Sequence, residues 1–169
     1  MKVFITGGTG YIGAHLIKEL ISQGHQVHAL VRDIEKATQL PKEGLLLFKG
    51  DLGDSESIKE AMKGCDQVYH MGGDASIWAK DSSRYYTINV DGTRNVLDAA
   101  LELNVKRVVF TSTAGVLGPS HDGVVTEKKF RNIDFFNDYE SSKAMAESLV
   151  KSYVAEKNLD VVIVSPTRV

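Results

Sequence analysis

The amino-acid sequence predicts an α/β fold, a doubly wound parallel sheet of six strands in the order 3-2-1-4-5-6. Three observations carry that expectation. Short, apolar, β-branched runs alternate with amphipathic stretches from the first residues onward. Glycines cluster at residues 7–13, directly after the first apolar run. The runs are nearly continuous in apolar residues, as strands covered by helices on both faces must be. Right-handed crossovers then fix the order, and its ligand crevice lies at the carboxyl ends of strands one and four.

The elements follow in turn. Residues 3–5 form the first strand, and Ile12, Leu16, Ile17 and Leu20 recur at helical spacing behind it. Gly24 stops that helix, and residues 27–31 make the second strand. A short helix is expected over 34–40, ended by Pro41, before a third strand at 45–48. Asp54 or Ser55 caps a helix that runs to Lys63, where Gly64 ends it, and residues 67–71 are the fourth strand. Residues 82–103 read as one long helix with Val90, Leu97 and Leu101 turned inward. A fifth strand at 108–110, a helix over 139–157 and a sixth strand at 161–164 complete the series.

Composition narrows the function classes. The chain has 169 residues, 43% of them hydrophobic and 25% charged, which suits one globular domain with a real core. A net charge of -2, with both signs interspersed, offers no footprint for nucleic acid or an anionic membrane. The short basic run Lys128-Lys129-x-Arg131 reads as a solvated loop face. Cys65 is the single cysteine, so no internal disulfide forms; it reads as a small buried hydrophobe in a cytoplasmic protein. No apolar stretch is long enough for a membrane span. The five histidines show no ligand spacing, so no metal site is expected.

Three stretches carry chemistry. Thr6-Gly7-Gly8-Thr9-Gly10-Tyr11-Ile12-Gly13 lies between a strand and a helix, where missing Cβ atoms would let a pyrophosphate approach the helix N-terminus. Tyr139 and Lys143 stand at i and i+4 on one helical face. A phenol titrates near pH ~10, so a neighbouring positive charge is needed before it exchanges protons near neutrality. At the end of the second strand, Val31 is apolar and Arg32 follows, a guanidinium suited to clamp a 2′-phosphate; Asp33 is the competing ribose contact.

These residues resemble the extended short-chain dehydrogenase/reductases, the NAD-dependent epimerase/dehydratase superfamily, whose turn is Thr-Gly-x-x-Gly-x-x-Gly and whose catalytic signature is Tyr-x-x-x-Lys. The resemblance implies a Rossmann-type domain over residues 1–169, truncated after the sixth strand, with the C-terminal substrate lobe absent. It implies cofactor contacts from Gly7, Gly10, Tyr11, Ile12, Gly13, Arg32, Tyr139 and Lys143. It adds the Asp51-Leu52 pair at the adenine and Pro166, in Ser165-Pro166-Thr167, at the nicotinamide. Thr113 falls in the catalytic serine/threonine position, with Ser112 in reserve because neighbouring strand side chains point to opposite faces. His70-Met71-Gly72-Gly73 resembles the segment that lines the cofactor. Asn89 resembles the asparagine that supports the active site. Val108 to Gly115 and Val31-Arg32-Asp33 look like the dihydroflavonol-4-reductase branch, which implies an NADP-dependent reductase of a small-molecule ketone or aldehyde, and a homodimer paired through its two long helices. The alternatives are a nucleotide-sugar epimerase or dehydratase of the same superfamily, using NAD, and a non-catalytic dinucleotide-binding fragment. Ala114-Gly115 stand where sugar dehydratases carry an acid pair, which disfavours dehydration.

Overall fold

The structure is a computed structural model that describes residues 1–76, 78–119, 123–128 and 131–167. Six parallel strands form one sheet: β1 (Lys2–Thr6), β2 (Gln26–Val31), β3 (Leu45–Lys49), β4 (Gln67–His70), β5 (Arg107–Thr111) and β6 (Val161–Val164). Their order is β3-β2-β1-β4-β5-β6, as the alternation of runs predicts. Thr6 pairs with Leu30 on one side and His70 on the other, so these strands end level and open one crevice.

Alternation along the strands divides the core in two. Phe4, Val68, Val108 and Phe110 face α2 (Ser55–Met62), α4 (Gly92–Glu102) and α5 (Asp138–Lys157). Val3, Ile5, Val27 and Ala29 face the other way and pack with Ile17 and Leu20 of α1 (Tyr11–Ser22). Both layers are fully buried at their centres, as the continuous apolar runs require. Cys65 is buried in the first layer.

Helix boundaries follow local chemistry. Asp54 caps α2 by accepting from the N–H groups of Glu56 and Ser57, and Asn137 caps α5 by accepting from Glu140. Asn158 ends α5 in the left-handed conformation, one of the few non-glycine residues that adopt it readily.

Two expectations are corrected. Residues 34–40 form no helix; they make two tight turns, Ala37 N–H to Ile34 O and Leu40 N–H to Ala37 O, that tuck Ala37 and Leu40 into the core. Residues 82–103 are not one regular helix. They divide into α3 (Ser83–Tyr86), a π-helical turn (Thr87–Asp91) and α4. The wider turn places Asn89 inside the molecule, where it is 1% exposed.

Gly7 has φ +74°, and a Cβ on it would lie 2.7 Å from the Gly72 nitrogen. Gly24 has φ +79° but open space around it. Gly24→Ala therefore incurs only the left-handed penalty of about 1–2 kcal/mol, whereas Gly7→Ala adds a clash of main chain on main chain and should exceed about 3 kcal/mol. Urea denaturation of both variants checks this, and equal losses would contradict it.

Candidate active site

A cleft of about 540 Å³ opens at the carboxyl ends of β1, β2 and β4. Its floor is the glycine turn. Gly10 N–H donates to Gly7 O at 3.0 Å, which closes the turn, and α1 then starts at Tyr11 with no side-chain cap on its N-terminus. A Cβ on Gly13 would sit 2.3 Å from Gly7 O, so the helix reaches this turn only because residue 13 is glycine. The uncapped N–H groups and the helix dipole leave a place for an anion, and the cradle a Cβ would fill fits the pyrophosphate of a dinucleotide.

At the other end of this cleft the candidate residues separate. Arg32 is exposed and lines the cleft, as do Asp51 and Leu52. Asp33 is not among the lining residues. Its carboxylate accepts from Glu35 N–H at 3.0 Å and lies 3.4 Å from the Lys36 ammonium, folded into its own turn. Asp51 accepts from Gly53 N–H at 2.9 Å, which holds the carboxylate at the edge of the cleft, while Asp54 does the helix capping.

A second cleft of about 400 Å³ adjoins the first, sharing Ile12, Met71, Gly73 and Thr111 with it. Thr113, Tyr139, Lys143 and Pro166 all border it. Thr113 accepts from Gly115 N–H at 3.2 Å and so caps the 3₁₀ turn Ala114–Leu117, which leaves its own hydroxyl proton to donate elsewhere. Burial pushes the Tyr139 pKa up, against the neighbouring Thr113 hydroxyl, which pulls it down, so the phenol keeps its proton. Lys143 donates to Thr111 O at 2.8 Å and stands 4.4 Å from the centre of the Phe110 ring. Burial lowers its pKa to about 8, and Glu147 opposes that fall. Ser112, the reserve candidate, is spent: its buried hydroxyl donates to Glu147 Oε2 at 2.9 Å.

Behind both clefts runs one buried chain of hydrogen bonds. Gly72 N–H donates to Thr6 Oγ1 at 3.0 Å, Thr6 Oγ1 meets His70 Nδ1 at 2.7 Å, and His70 Nε2 meets Thr93 Oγ1 at 2.9 Å. Thr93 donates to Asn89 O at 2.6 Å. Since the Thr93 proton is used there, His70 Nε2 must donate to Thr93, and Nδ1 must accept from Thr6. The ring is then the neutral Nε2–H tautomer. Burial, then the charge of Lys143, lowers its pKa to about 3, so His70 acts as a strut and not as a base. Asn89 continues the chain, bonding Asp74 O and N–H and donating to Ser142 Oγ on α5 at 2.9 Å.

Two charged residues of the site escape the sequence reading. Glu147 lies four residues after Lys143, a spacing that could have flagged it. Arg131 has no such signal. In the sequence it belongs to a run expected to be solvated, yet its guanidinium is 8% exposed, pairs with Glu140 at 2.9 Å and donates to the carbonyls of Gly115, Ile133 and Asp134. It fastens the 3₁₀ turn after Thr113 to the first turn of α5, beside Tyr139. Among the described residues, no group of three His, Cys, Asp or Glu could hold a metal ion, and no helix is long and apolar enough to cross a membrane.

The model of the NAD dependent epimerase/dehydratase family matches residues 3–169. The chain belongs to this family. Among its relatives, cinnamoyl-CoA reductase 1 of Petunia hybrida is 36% identical over 182 residues, covering 99% of this chain and 54% of the relative. Dihydroflavonol 4-reductase of Solanum lycopersicum is 32% identical over 183 residues, covering 97% of this chain and 48% of the relative. In solved structures, UDP-glucose 4-epimerase of Thermus thermophilus, in complex with NAD, superposes with a TM-score of 0.86 at 29% identity, over 98% of this chain and 54% of that one. The chain spans about half the length of the curated relatives it matches.

In this epimerase/dehydratase family member the buried strut gives a direct check. Nitrogen NMR of histidine-labelled protein should show His70 as the Nε2–H tautomer, unchanged between pH 8 and pH ~5, because its folded pKa is far below the usual value of 6.5. Acidification below pH ~6.5 should then favour the unfolded chain, which takes up the proton more readily. A His70 signal titrating near pH ~6.5 would contradict the hydrogen-bond assignment.

Proposed function

We propose that this chain is the dinucleotide-binding half of an NADP-dependent oxidoreductase that reduces a small ketone or aldehyde, the substrate lobe lying elsewhere in the full-length protein. The observation that carries the reading is the convergence of Thr113, Tyr139 and Lys143 on a cleft that adjoins the glycine turn. Gly7, Gly10 and Gly13 would hold the pyrophosphate with Tyr11 and Ile12 beside it, Asp51 and Leu52 the adenine, and Pro166 the nicotinamide end. Arg32 would pair with the 2′-phosphate through charge-assisted hydrogen bonds. The similarity to dihydroflavonol 4-reductase and cinnamoyl-CoA reductase supports a carbonyl reductase.

When bound, the nicotinamide cofactor supplies the hydride. The chain's own residues do the rest. Thr113 donates a hydrogen bond to the substrate carbonyl oxygen and polarises it. Tyr139 passes its phenolic proton to that oxygen as negative charge grows there. Lys143, fixed on Thr111 O, places a positive charge that eases the departure of that proton and can also bond the nicotinamide ribose.

The resemblance to an NAD-bound UDP-glucose 4-epimerase supports a second reading, an NAD-linked epimerase. Arg32 on the cleft, with Asp33 folded away from it, favours the first. Titration with both cofactors decides: NADP+ should bind more tightly than NAD+, and Arg32→Ala should remove most of the difference. Equal affinity of the wild type for the two would overturn the NADP assignment.

In the full-length protein, Tyr139→Phe should lower carbonyl reduction by about 10²–10⁴-fold, the usual worth of a positioned acid, with cofactor affinity nearly unchanged. Steady-state kinetics beside a binding titration checks this, and undiminished turnover would exclude Tyr139 as the acid.

A further inference from the structure

Glu147 is a buried carboxylate outside the Thr113, Tyr139 and Lys143 constellation. On α5, Tyr139, Lys143 and Glu147 stand at i, i+4 and i+8, so one helical face carries all three. That face meets three consecutive residues at the end of β5. Lys143 Nζ donates to Thr111 O, the Ser112 hydroxyl donates to Glu147 Oε2, and the Thr113 hydroxyl acts on Tyr139. Lysine and glutamate therefore grip adjacent residues where β5 ends, and both side chains are buried.

We propose that Glu147 is a positioning residue for Lys143: anchored on Ser112, its carboxylate keeps the neighbouring ammonium protonated and directed at the end of β5.

The other groups facing Lys143 do not supply that negative charge. On β4, His70 is neutral, and on β5 the contacts are a carbonyl and the Phe110 ring. On α5 itself, Tyr139 holds its proton and Glu140, three residues before Lys143, is paired with Arg131 at 2.9 Å. Asp74 borders the same cleft, but Arg84 of α3 pairs with it at 2.7 Å. Asp91 of the π turn is exposed. Asp98 of α4 is engaged with Tyr153 at 2.6 Å and Lys157 at 3.7 Å, well along α5. Arg107 pairs with Asp160 at the far end of β5. Glu147, itself buried and one helical turn away, is left to oppose the desolvation that pushes Lys143 down. Lys151 takes the second Glu147 oxygen at 2.8 Å, but its side chain is 66% exposed and water screens it.

The proposal rests on reading Lys143 as the working ammonium. The test reads the amine itself, so it gives its answer whether or not the chain binds NADP+, and the two readings fail separately. Protein labelled with carbon-13 at lysine Cε is titrated by NMR, with the Lys143 signal identified by its loss in Lys143→Met. Glu147→Gln keeps shape and still accepts from Ser112. It should lower the Lys143 midpoint by about one pH unit, a tenfold weaker hold on the proton, while Lys151→Met leaves it nearly in place. If Glu147→Gln does not fold, Ser112→Ala frees the carboxylate from the strand and should move the midpoint in the same direction. A shift below about half a unit, a shift upward, or an equal shift in Lys151→Met would overturn the proposal.

Discussion

Three stretches of main chain meet at the carboxyl end of β1 more closely than any Cβ allows: the turn at Gly7 and Gly8, the start of α1 at Gly13, and the strand exit at Gly72. Much of the rest depends on that approach. It opens the helix N-terminus to the crevice, brings β4 level with β1, and puts Gly72 N–H within reach of Thr6. The two clefts then meet along a common wall that includes Ile12, Met71 and Gly73.

A second constraint carries the geometry outward. His70 is fully buried and bonded on both nitrogens, so it links the glycine turn to the π turn without bringing in a charge. Asn89 extends the link to Ser142, one residue before Lys143. The site therefore rests on packed, satisfied polar groups and not on a flexible surface. Each of these groups would be expensive to leave unpaired in the interior, which ties the shape of both clefts to the stability of the fold.

The sheet is legible in the sequence because continuous apolar runs flanked by glycine, aspartate and proline have few other solutions. The glycine turn and the Tyr139–Lys143 spacing are legible for the same local reason. The segment 34–40 misleads because Ile34, Ala37 and Leu40 repeat every three residues, yet a stretch so short before Pro41 has too few hydrogen bonds to nucleate a helix. The π turn is invisible, since one extra residue in a turn scarcely alters an apolar pattern while it redirects Asn89. Glu147 and Arg131 escape notice because their partners, Ser112 just past β5 and Gly115 in the turn that follows, come from distant chain positions that only the folded sheet brings near.

The proposed reading turns on a dinucleotide seated at the glycine turn. The most direct measurement is a map of backbone amide shifts by NMR as NADP+ is added to the 169-residue chain. Saturable shifts concentrated at Gly7, Gly10, Ile12 and Gly13, with Arg32 and Gly72 following them, are expected. Absence of shifts at saturating cofactor, or shifts confined to residues away from this turn, would contradict it.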